Sequence, residues 1–144
     1  MVATRTGRVG KDRYLNYLRK SDEFYRSAEE AAKRGDWTAA VSNAVHSGIG
    51  VADALTVFYA GERTTARDHD EVLRLLAALG INRAELDRNM RHLSSLLEVK
   101  NLAEYEDRLP SKSEAESAVR NAGRFRKWVL TRLPERDRCS DTIA

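Results

Sequence analysis

Five residues lie between Arg63 and His69 in Arg63-Thr64-Thr65-Ala66-Arg67-Asp68-His69, and the types of this pair suit proton-coupled work on an oxyanion. An imidazole accepts and releases protons near neutral pH, and a guanidinium fork fits phosphoryl or carboxylate oxygens. A second stretch, Leu96-Leu97-Glu98-Val99-Lys100-Asn101-Leu102-Ala103-Glu104-Tyr105, offers an ammonium, an amide and a phenol: Lys100, Asn101 and Tyr105 could contact a phosphate or a nucleotide. Basic residues also gather late in the chain at Arg120, Arg124, Arg126, Lys127, Arg132, Arg136 and Arg138, of which Arg124 and Lys127 are the candidates for contacting RNA or a nucleotide.

The remaining constellations carry less chemistry. Asp68-His69-Asp70-Glu71 has metal-capable types, but neighbours on a helix diverge and no second cluster completes a site, so neither a metal nor another cofactor is expected. His46 sits among small residues and reads as an interior or interface histidine, and His92 beside Arg91 as a surface one. Trp37 and Trp128 fall at helical spacing from other apolar residues and read as core anchors. Cys139 has no base beside it to make it a nucleophile.

These side chains sit on a chain of 144 residues, enough for one domain with a real core. Apolar runs are broken by charge well before about 18 residues, so a membrane span is not expected. The opening Met1-Val2-Ala3-Thr4-Arg5 is basic without an apolar segment, unlike a secretory signal. A lone cysteine forms no internal disulfide and suits the reducing cytoplasm. The net charge of +3 is mild, and a solvated helix face explains the late arginines as well as a nucleic-acid surface does.

The spacing of apolar residues predicts an all-α chain, an antiparallel bundle of about five helices. A loose arm over residues 1–10 leads into a helix from Asp12 to about Lys33, with a stripe of Tyr14, Leu15, Leu18, Tyr25, Ala28 and Ala32, stopped by Gly35. Asp36 is placed to cap a central helix from Trp37 to Gly61, in which Gly48 and Gly50 would let another helix approach closely. A polar connection, Glu62 to Asp68, precedes a short helix from His69 to about Leu79 with Val72, Leu75, Leu76 and Ala78 inward. Asn82 caps a long fourth helix with Leu86, Met90, Leu93 and Leu97 inward. A capping box at Ser113-Glu114-Ala115-Glu116 opens the last, running to about Leu133 before Pro134. The domain is thus expected over 11–134, with a flexible tail at 135–144.

Three ordered segments make this chain resemble the HEPN domain family of small prokaryotic all-helical proteins: Asp36-Trp37-Thr38-Ala39-Ala40-Val41 continuing to Ala52-Asp53-Ala54-Leu55; Asp68-His69-Asp70-Glu71-Val72; and Glu104-Tyr105-Glu106-Asp107 followed by Ser113-Glu114-Ala115-Glu116 and Ala122 to Phe125. The resemblance implies a homodimeric bundle of four or five helices. Many members are metal-independent ribonucleases of toxin–antitoxin and defence systems, and others are non-nuclease proteins often paired with minimal nucleotidyltransferases. In the nucleases, an arginine and a histidine with four to six residues between them meet at the dimer cleft. The histidine moves the proton of the attacking 2′-hydroxyl while the arginine steadies the phosphoryl charge.

Here Lys100-Asn101 stands where the family has Arg-Asn, and the histidine position falls on Ala103 or Glu104. Lysine keeps the charge without the fork, and neither successor restores the imidazole. The shifted pair Arg63/His69 fits the spacing, yet nineteen arginines and three histidines give about one such match by chance. The expectation is a non-catalytic homodimeric module binding a protein such as a nucleotidyltransferase, a nucleotide or RNA, with its dimer face on the second and fourth helices. The alternatives are a ribonuclease using Arg63 and His69, and a plain helical scaffold.

Overall fold

The computed structural model describes residues 6–64 and 69–134, with side chains described for all of these but 6, 64, 69, 70, 104 and 105. Five helices dominate: α1 (Tyr14–Arg34), α2 (Trp37–Ala60), α3 (His69–Ala77), α4 (Arg83–Tyr105) and α5 (Lys112–Thr131). The all-helical bundle expected from the sequence is the architecture found. Gly35 and Gly61 close α1 and α2. The side chain of Asn82 caps α4 by accepting from the Glu85 N–H at 3.1 Å.

The helix α2 is the hub. Every residue from Val51 to Val57 is buried, and α1, α4 and α5 all pack against it. Two glycines make that packing close. A Cβ at Gly48 would lie 2.6 Å from Leu96 Cδ1 of α4, and one at Gly50 would lie 3.4 Å from the Ser21 Cα of α1. The propensity cost of each, about 1 kcal/mol, is offset by the approach it permits. At the α1–α2 crossing, Ser21 Oγ donates to the Ser47 carbonyl at 2.7 Å and Ser47 Oγ donates to the Ser21 carbonyl at 2.9 Å. Arg126 of α5 adds a bond to Ser21 Oγ at 2.9 Å and one to Asp22 at 3.3 Å, tying three helices at one point.

The structure corrects several expectations. Thr6–Arg8 (β1), part of the arm expected to be loose, pairs antiparallel with Glu62–Thr64 (β2) in the connection expected to be only polar. Strands of three residues are too short to show alternation. The segments 1–5 and 135–144 lie outside the described residues. Leu15 of the expected stripe is 37 % exposed, while Ser21 and Ala31 are buried in α1. Ala78 is exposed, past the end of α3. Asp36 begins α2 without a side-chain cap bond, because its carboxylate faces Arg34 at 3.1 Å.

The capping box of α5 is Ser111 with Glu114, not Ser113 with Glu116. Both registers fit Ser-x-x-Glu, and Arg108 selects between them by forking onto both Glu114 oxygens at 2.8 Å. The guanidinium of Arg108, with the Ser111 N–H, holds the Glu114 carboxyl down to about 2.

Candidate functional site

Along the N-terminal half of α2, Ser42 and His46 are exposed, whereas Val51 to Val57 further along are all buried. Helix α1 borders this strip with Phe24, whose ring centroid lies 5.2 Å from that of His46. Helix α4 runs antiparallel along the other side, so that Leu93 and Leu96 meet Gly48 while Lys100 and Ala103 reach Ser42, Val45 and His46. These last five residues line a crevice of about 10 Å³. That is room for about one water molecule or one oxygen of an anion.

The crevice brings together an ammonium, a hydroxyl and an imidazole from two helices. Sequence spacing missed this grouping because His46 and Lys100 are far apart in the chain and meet only through antiparallel packing of α2 on α4. The signal available beforehand was the run of small residues around Gly48, which foretold close approach without saying whose side chains would be brought together. Ala103 contributes a methyl where the resemblance put a histidine. Asn101 is exposed next to Lys100, and Glu104 and Tyr105 lie outside the described side chains.

Arg63 lies elsewhere. Its guanidinium stands 3.9 Å from Asp53 Oδ2 and 5.7 Å from the centre of the Tyr17 ring. Lys20 Nζ lies 5.6 Å from the centre of the same ring. The Asp53 side chain is only 10 % exposed, and burial pushes its carboxyl up to about 7 against the pull of Arg63 and Lys20. The His69 side chain is outside the described residues, so the Arg63/His69 geometry is not on view. Arg63 itself is engaged with a carboxylate and an aromatic face.

Arg124 and Lys127 are exposed on α5, and neither lines the crevice. Two members of the same late basic cluster turn out to tie helices together. Arg126 holds Ser21 and Asp22, and Arg132 forks onto Glu85 of α4, where Trp128 Nε1 also donates at 2.7 Å. The bonds from Trp128 and Arg132 hold the Glu85 carboxyl below its ordinary range. His92, expected at the surface, is half-buried with Nδ1 3.4 Å from Asn121 Oδ1 of α5.

Among the described residues there is no group of three or more His, Cys, Asp or Glu side chains arranged to hold a metal ion. Nor is any helix among them long and apolar enough to cross a membrane. No curated protein matches the chain. The sequence profile of the HEPN domain matches residues 14–133, which spans all five helices. With that match over most of its length, and with the helical bundle in place, the chain belongs to the HEPN domain family.

Proposed function

We propose that this HEPN-domain protein is a homodimeric binding module without nuclease chemistry, engaging a partner protein, a nucleotide or RNA through the α2–α4 face. The observation that carries this reading is the crevice between the two helices. It holds the cation Lys100, but its volume of about 10 Å³ cannot enclose a phosphodiester. Phosphoryl transfer requires attacking and leaving oxygens in line, with groups to handle protons. Ala103 supplies none. The exposed strip around Ser42 and His46, edged by the 37 % exposed Phe24, suits surface recognition. A toxin–antitoxin or defence setting, suggested by the family's habits, and a cytoplasmic location, suggested by the lone cysteine, belong to the same proposal.

A second reading rests on His46. It lines the crevice with Lys100, so an imidazole and a cation are side by side after all. Two copies meeting across this face could enlarge the crevice into a cleft in which His46 accepts a 2′-hydroxyl proton. Incubation of the purified protein with several RNAs in EDTA separates the readings, with His46→Ala, Lys100→Ala and Arg63→Ala alongside. The binding-module reading expects no cleavage by any of the four proteins. Cleavage lost in His46→Ala and Lys100→Ala overturns it in favour of the second reading, and cleavage lost in Arg63→Ala alone revives the shifted pair.

A further inference from the structure

Tyr17, Lys20, Asp53 and Arg63 form a second cluster, on the α1–α2–β2 side of the bundle and separate from the α2–α4 crevice. Two cationic heads share one aromatic ring: Lys20 Nζ at 5.6 Å and Arg63 Cζ at 5.7 Å from its centre. The same two cations are the ones whose charge pulls on the Asp53 carboxyl, and the Arg63 guanidinium stands 3.9 Å from it. Among the described residues, these are the charged groups that act on Asp53, Lys20 from α1 and Arg63 from β2.

The contact between Arg63 and Asp53 is loose. At 3.9 Å it is an ion pair and not a direct hydrogen bond. The Arg63 side chain is 38 % exposed, so its donors face solvent as well as the carboxylate. The backbone of Arg63 is held independently of Asp53, because β2 pairs with β1, with Arg63 opposite Gly7.

We propose that Lys20 and Arg63, resting on Tyr17, form a binding site for a phosphate- or sulfate-type oxyanion, and that the proton on Asp53 gates it. An ionised Asp53 occupies the field of both cations and competes with the ligand. A neutral Asp53 leaves two positive charges beside one ring with no carboxylate to answer them, and a doubly charged oxyanion is then the matching ligand. The buried setting of Asp53 puts this change in the neutral range, since its carboxyl is pushed up to about 7. At pH 8 about one-tenth of the molecules then carry the neutral acid, so the apparent affinity falls about tenfold from its value at pH 6.

Sulfate is the probe of choice because it does not itself titrate in this range. Titration of the full chain, followed by amide shifts of residues 17, 20 and 63, should show binding about tenfold tighter at pH 6 than at pH 8. Asp53→Asn should bind equally at both pH values, Lys20→Gln and Arg63→Gln should each weaken binding at pH 6 by about tenfold, and Lys100→Ala should change nothing. The isosteric Asp53→Asn and the exposed Lys20→Gln keep the test informative even where Arg63→Gln disturbs β2. Saturable binding that is insensitive to Lys20→Gln, or a pH dependence that survives in Asp53→Asn, overturns the proposal. The source of the oxyanion is read in a parallel titration with an eight-nucleotide single-stranded RNA. RNA binding that is tighter than sulfate binding and weakened by Lys20→Gln assigns the site to RNA backbone phosphates, and sulfate binding alone assigns it to a free oxyanion. Loss of the Lys100 reading would leave this result standing, since the two clusters share no residue.

Discussion

Ser21 and Ser47 each donate their hydroxyl to the other's backbone carbonyl, at 2.7 and 2.9 Å, in the buried crossing of α1 over α2. The crossing is close because Gly50 presents no side chain to Ser21. The hydroxyls therefore satisfy themselves inside the core, where an unpaired polar group costs about 1–3 kcal/mol. Ser47→Ala removes the bond to the Ser21 carbonyl and should cost about 1 kcal/mol. Ser21→Ala removes the bond to the Ser47 carbonyl and also the acceptor for Arg126 at 2.9 Å, and should cost about 2 kcal/mol. Urea unfolding of both variants measures the order, and equal losses would mean that Arg126 gains nothing from Ser21.

Asp53 makes the stability of this protein depend on pH in an unusual direction. Its carboxyl is raised from an ordinary 3.8 to about 7 by burial, so between those values the folded chain holds a proton that the unfolded chain has lost. The contribution is fully present below about pH 3.8 and is lost as pH rises through 7. The span corresponds to about 4 kcal/mol at most, at about 1.4 kcal/mol per pH unit. Denaturant midpoints measured from pH 5 to pH 8 should fall with rising pH in the wild type and stay nearly level in Asp53→Asn. Arg63→Gln should steepen the fall, since it removes a cation that pulls the carboxyl back down.

Much of the frame was legible in the sequence. The apolar spacing, Gly35, Gly61 and Asn82 place α1, α2 and α4 because each signal acts within one or two turns. What the sequence did not reveal is nonlocal. No spacing rule links Lys100 to His46, Arg63 to Asp53, or Arg132 to Glu85, since each pair is joined only after helices have packed. The late arginines show the same limit. Arg124 and Arg126 look alike in the chain, yet one is exposed and the other ties α5 to α1.

The register of α5 offers a local test of the same kind. Ser111 and Glu114 close a reciprocal capping box, and Arg108 clamps the Glu114 carboxylate from the preceding loop. Ser111→Ala should cost about 1 kcal/mol, the usual loss for a serine cap, whereas Ser113→Ala, at an exposed position inside the helix, should cost little. The lowered Glu114 carboxyl supports folding above its ordinary 4.5, and that support fades as pH falls toward about 2. Thermal melts of the two serine variants at pH 7 check the cap, and a larger loss in Ser113→Ala would restore the other register.

The α2–α4 face carries the proposal of a homodimer, and Ser42 is the place to break it. It is exposed on α2 and lines the crevice with Lys100 and Ala103. A glutamate there adds charge to the strip without entering the core, where Ala40, Val41 and Ala44 are fully buried. A surface substitution of this kind changes the stability of one chain by less than about 0.5 kcal/mol. In a self-paired face, however, the new carboxylate appears once on each copy and must be stripped of water as the faces meet, a cost that the attraction of the neighbouring Lys100 does not repay. Light scattering coupled to size-exclusion should therefore report a dimer for the wild type and a monomer for Ser42→Glu, with helix content unchanged by circular dichroism. The apolar groove formed by Tyr14, Leu15, Phe58 and Tyr59 gives the control, because Leu15→Glu alters an exposed apolar residue at a different place. A dimer that survives Ser42→Glu and is lost in Leu15→Glu moves the interface from the α2–α4 face to that groove.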